Sequence, residues 1–142
     1  MLIALPLLFI PVVLYNIVVL FGASGNGGLA EADAILRDPM FSIPMASGAQ
    51  WNVGSGDLIL FLSLILLFFE LIKSTSSQKV AIVNHALSMI LFIVVLVEFL
   101  LIRGFATSTF FLIVVMVLLD VLAGFIVTII AARKDLDFGV GR

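Results

Sequence analysis

A chain of 142 residues that is 63% hydrophobic and only 11% charged, with a mean hydropathy of +1.37, cannot cover itself with polar surface. Soluble domains run at roughly 45–50% apolar and about 25% charged, so the natural solvent of this chain is lipid. The formal charge of −2 leaves no basic footprint for nucleic acid, and the absence of cysteine excludes disulfides, thiolate nucleophiles and cysteine metal sites.

The first 21 residues, MLIALPLLFIPVVLYNIVVLF, are apolar apart from Tyr15 and Asn16. About 20 residues at 1.5 Å rise match a hydrocarbon core of roughly 30 Å. The run exceeds the roughly 7–15 residues of a signal-peptide core, and no Lys or Arg precedes it, so it reads as a transmembrane helix over 2–21. Pro6 and Pro11 each lack a backbone donor, and a kink is expected near Pro11.

Residues 22–54 form a long loop between the first and second spans. Its glycines at 22, 25, 27 and 28 end the first helix, and LAEADAILRD then places Leu29, Ala32, Ile35 and Leu36 on one helical face. Pro39 disfavours helix at Asp38, so a short amphipathic helix lying in the interface is expected. The following MFSIPMASGAQW is apolar but too short to span, and Trp51 stands where an interfacial anchor belongs. Leu29, Ile35, Leu36, Met40, Phe41 and Trp51 are the candidate residues for docking a partner, against the simpler reading of a passive interfacial lid.

Three further spans are expected at 55–74, 80–102 and 109–132, followed by a polar tail over 133–142. Asp57 after Gly-Ser-Gly reads as an N-cap, Gly104 as a left-handed cap, and Thr107, Ser108 and Thr109 as caps for the last helix. Lys73, Lys79, Arg133, Lys134 and Arg142 fall on one side of such a bundle, and only Arg37 and Arg103 on the other. The positive-inside rule then puts both termini in the cytoplasm and the 22–54 loop outside. The fold class is an all-α integral membrane protein of four transmembrane helices, in a bacterial inner membrane, forming a single domain.

Ionisable groups inside a span cost about 2.5–3.5 kcal/mol on insertion scales, so each needs a reason. Glu70 can pair with Lys73 at i,i+3, and His85 enters the third span at a similar depth, making a cytoplasmic-side polar cluster. Glu98 lies near the opposite end, with Arg103 placed to reach back to it. Asp120 stands near the middle of its helix, roughly 15–20 Å from either end and beyond snorkelling reach. Asp120, Gly124 and Thr128 recur at helical spacing, and Asn84, Ser88 and Glu98 line a stripe on the preceding helix, with Ser63 a further donor. Such small and hydroxyl residues let membrane helices approach and hydrogen-bond.

This seam reads either as a structural clamp or as a relay. A single histidine excludes bis-histidine haem ligation within one chain, and no metal spacing, phosphate-binding loop, nucleophile elbow or HExxH motif is present. No cofactor, metal or catalytic set is therefore expected. The leading expectation is a non-enzymatic subunit or accessory protein of a larger inner-membrane complex, its partners being lipids and other membrane subunits. The alternatives are a small homo-oligomeric proton- or ion-coupled transporter or channel using Asp120, and a lipid- or quinone-binding protein.

Overall fold

The computed structural model describes residues 5–22, 32–74 and 78–139. The chain enters through a tight turn in which the N–H groups of Phe9 and Ile10 donate to Pro6 (3.1 Å) and Leu7 (3.0 Å). Helix α1 follows over Phe9–Gly22. Pro11 therefore falls in the first turn of α1, where its missing N–H costs no intrahelical bond, and the expected kink loses its cause. At 14 residues α1 is about 21 Å long, shorter than the expected span over 2–21, of which residues 2–4 lie outside the described residues.

Helix α2 is brief, Ala32–Arg37, held on its outer side by an Asp33–Arg37 ion pair of 2.8 Å. The expectation of an all-α chain fails at the next segment. Strands β1 (Pro39–Pro44) and β2 (Gln50–Gly54) form an antiparallel hairpin, pairing Phe41 with Val53, Ser42 with Asn52, and Ile43 with Trp51. The cause is a period-2 alternation of apolar and polar residues on both sides of Ala-Ser-Gly. Gly48 supplies the left-handed residue (φ 84°) that closes a short hairpin loop, and Met45 exchanges backbone bonds with Gly48 and Ala49. Pro39 and Pro44 sit at the ends of β1, where a strand tolerates a missing donor.

Strand β2 runs directly into α3 (Ser55–Ser74). Asp57 is not the N-cap itself; from inside the first turn its carboxylate accepts the Gly54 N–H at 3.0 Å, as the third residue of a capping box does. A Cβ on Gly54 would stand 2.5 Å from the Leu36 carbonyl, and one on Gly56 would stand 3.0 Å from Thr109 Oγ1. This Gly-Ser-Gly is thus a close-packing joint rather than a linker.

Helix α4 covers Gln78–Leu101, a short 3-10 turn covers Arg103–Phe105, and α5 covers Ser108–Gly139. Gly104 does not take the expected left-handed conformation, since Gly48 is the positive-φ glycine among the described residues. Thr107 does cap α5, accepting the Phe110 N–H at 3.1 Å. Helix α5 continues well past the expected end near 132, because no breaker precedes Gly139. Helices α3, α4 and α5 are each long and apolar enough to cross a membrane, and α1 is a shorter apolar helix.

The core sits where the four long helices meet, with Val12, Tyr15 and Val19 of α1 against Ile113 and Val117 of α5 and Val95 of α4. Many large apolar side chains face outward, among them Phe61, Phe68, Leu100 and Phe125. Such a surface is unstable in water and at home among acyl chains.

Candidate functional site

The polar residues gather at the end of the bundle where α3 finishes and α4 begins. Glu70, on the last full turn of α3, is wholly buried and accepts three kinds of donor. Its carboxylate takes the Leu7 N–H at 2.7 Å, Asn84 Nδ2 at 2.6 Å and Lys73 Nζ at 2.9–3.0 Å. Lys73 also donates to the Leu5 carbonyl at 2.7 Å, and its side chain keeps 16% of its surface open. The i,i+3 pair expected from sequence is therefore real. It is a buried clasp between the chain's N-terminal segment, α3 and α4 rather than a pair reaching for water.

The α4–α5 seam continues from this clasp. Asn84, Ser88 and Asp120 are all buried, and Asp120 faces Ser88 while lying within electrostatic reach of Glu70, Lys73 and His85. Proximity does not amount to bonding: Asn84 Oδ1, His85 Nδ1, Ser88 Oγ and Asp120 Oδ2 have no hydrogen-bond partner among the described residues. Gly124, one turn beyond Asp120, makes the seam possible, because a Cβ there would stand 2.5 Å from His85 Nδ1. The seam residues and the cytoplasmic-side cluster, separate in the sequence reading, thus form one site drawn from α3, α4 and α5.

Several expected members lie elsewhere. Thr128 is exposed and its hydroxyl donates to its own helix at Gly124 O (2.8 Å), so the stripe on α5 ends at Gly124. Ser63 is buried but donates to Ile59 O (2.7 Å), which removes it as a donor to Asp120. Glu98 meets Asn16 of α1 (3.5 Å), not Arg103, and belongs to the opposite end of the bundle. Between the two ends Leu91, Val95, Ile113 and Val117 form a buried apolar layer.

The docking candidates divide as well. Leu36 is buried against Gly54 and Gly56, and Ile35 packs on Gly22, so both serve the fold. Leu29 lies outside the described residues. Met40, Phe41 and Trp51 are exposed on the hairpin, joined by Ile43 and Met45. Cross-strand pairing puts Phe41, Ile43, Trp51 and the buried Val53 on one face and Ser42 and Asn52 on the other, where Ser42 Oγ lies 2.7 Å from Asn52 Oδ1.

Comparison with family models, with curated proteins and with solved structures returned no match. The chemistry of these residues is the guide to function.

One contact was missed by sequence reasoning. The Tyr15 hydroxyl, wholly buried, donates to Gly104 O at 3.1 Å and lies 2.5 Å from Thr107 Oγ1. Its ring packs on Phe105 and Phe110 with centroids 5.3 and 4.6 Å away. The signal was present: a lone tyrosine within an apolar run needs a partner for its hydroxyl.

Proposed function

We propose that the chain is a four-span membrane protein with both termini in the cytoplasm of a bacterial cell, acting as a non-enzymatic accessory subunit of a larger inner-membrane complex. Four spans are favoured because residues 5–22 run beside α3 from Glu70 at one end to Ile35 near the other. The Lys73 end then faces the cytoplasm on the positive-inside rule, and the hairpin lies outside.

The observation that carries the accessory reading is the set of exposed apolar side chains on the hairpin, whose face is covered only at Val53. Residues 39–54 contain no charged side chain, and Phe41, Ile43 and Trp51 stand exposed on one face of a hairpin whose second strand leads directly into α3. An exposed, uncharged aromatic face fits an apolar, uncharged surface on another membrane subunit. The second reading, a proton- or ion-coupled transporter using Asp120, draws on the unpartnered seam atoms. Against it, the Leu91–Val95–Ile113–Val117 layer closes the site toward the Arg103 end within one copy.

The test is gentle solubilisation of native membranes, native-gel separation and mass spectrometry of the band. The wild-type chain is expected to co-migrate with a larger complex, and a Phe41→Ser/Trp51→Ser chain to leave it with its helix content intact. A wild-type band containing only this chain refutes the accessory role.

A further inference from the structure

Four buried polar atoms along the α4–α5 seam have no hydrogen-bond partner among the described residues: Asn84 Oδ1, His85 Nδ1, Ser88 Oγ and Asp120 Oδ2. Asn84, Ser88 and Asp120 are each at least nine-tenths buried, at 3%, 0% and 2% exposure. A buried polar atom left unpaired costs about 1–3 kcal/mol, so four together would offset much of the stability of a small domain. Something small has to satisfy them.

The chemistry of the set selects the occupant. Asn84 Oδ1 is an acceptor in every state, Asp120 Oδ2 is one when ionised, and His85 Nδ1 is one when the proton sits on Nε2. Ser88 alone brings an obligatory donor. An acceptor-rich pocket calls for donors from outside. No group of three or more His, Cys, Asp or Glu among the described residues is placed to hold a metal ion. Hard monovalent and divalent cations want a shell of oxygens, and an imidazole nitrogen in place of one fits them poorly. Water, which both donates and accepts, matches the chemistry of such a set, and the Asp120 carboxyl exchanges protons with it.

We propose that Asn84, His85, Ser88 and Asp120 form a hydrated proton-binding site at the α4–α5 seam, loaded only from the Lys73 end of the bundle. Uptake is simple protonation: a proton from water adds to the Asp120 carboxylate, and the reverse step returns it to water. Asn84 and Ser88 hold the bridging water. Lys73, partly open to solvent and bonded to Glu70, which in turn binds Asn84, marks the entrance. Glu70 and Lys73 of α3 and His85 of α4 are the charged and titratable groups facing Asp120, and together they set the field in which it titrates. Toward Arg103 the buried apolar layer lets no proton pass. The proposal rests on this cluster and is independent of the docking role.

The experiment is infrared difference spectroscopy on the full chain in lipid vesicles of known sidedness, following the carbonyl stretch of protonated carboxyls after a pH step on either face. A carboxyl signal that Asp120→Asn removes is expected for a step on the Lys73 face, is absent for a step on the other, where Glu98 is the carboxyl within reach, and is shifted in Ser88→Ala. A difference spectrum unchanged by Asp120→Asn, or an Asp120 signal that answers to the opposite face, overturns the proposal. Should Asp120→Asn fail to fold, the wild-type chain decides alone through dicyclohexylcarbodiimide, which modifies protonated carboxyls in apolar surroundings. Modification of Asp120 that falls as pH rises supports the site; no modification of Asp120 at any pH overturns it.

Discussion

Replacing Glu70 by Leu tests whether the clasp holds the bundle together. The substitution deprives three donors of their acceptor: the Leu7 N–H at 2.7 Å, Asn84 Nδ2 at 2.6 Å and Lys73 Nζ at 2.9 Å. Hydrogen bonds between membrane helices average about 0.6 kcal/mol and reach about 1.7 kcal/mol in double-mutant cycles, so three give about 2–5 kcal/mol. The three donors are not equal. Lys73 keeps its bond to Leu5 and some access to water, whereas the Leu7 amide is main chain and has nowhere to turn. Glu70→Gln retains one acceptor oxygen and is expected to cost about 1–2 kcal/mol on the same scale. The assay is unfolding by sodium dodecyl sulfate in mixed micelles, followed by circular dichroism. Combining Glu70→Leu with Asn84→Leu should cost less than the sum of the two, because they share a bond. A Glu70→Leu chain within about 0.5 kcal/mol of wild type, the usual range for a surface change, would refute the clasp.

Two further substitutions probe the contacts on either side of the clasp. Gly124→Ala drives a methyl group into the His85 ring and should destabilise the fold by about 1–3 kcal/mol, a loss largely recovered in a His85→Ala background; equal losses in both backgrounds would disprove the contact. Tyr15→Phe leaves the Gly104 carbonyl without its side-chain donor and should cost about 1–2 kcal/mol in the same unfolding assay, with no change in helix content.

How much of this was legible beforehand depends on the range of the interaction. Helix α3 occupies the expected 55–74, and α4 and α5 begin within two residues of expectation, because apolar length and end-caps are local signals. The i,i+3 pairing of Glu70 with Lys73 was equally local. Which helices lie side by side is not local. Spacing aligns Asn84 with Ser88 and sets it at the depth of Glu70, but the bond between Asn84 and Glu70 arises only from the packing of α4 on α3. Glu98 was matched to the nearest arginine in sequence, while the fold offers it Asn16 from another helix. The hairpin was overlooked because its strands are short and were weighed as a membrane-surface segment, although Phe41-Ser42-Ile43 and Trp51-Asn52-Val53 carry the alternation of a two-faced strand.

The partners of α1 carry a consequence for the order of assembly. Leu7 waits for Glu70, 63 residues later; Asn16 for Glu98, 82 residues later; and Tyr15 for Thr107, 92 residues later. Helix α1 is therefore made before each of these partners. While synthesis proceeds, its tyrosine and asparagine must be sheltered by the insertion machinery, by lipid headgroups or by a borrowed partner. Chains halted before the 3-10 turn would present an incompletely paired α1 to the membrane, a mark by which quality-control proteases could tell an unfinished copy from a complete one.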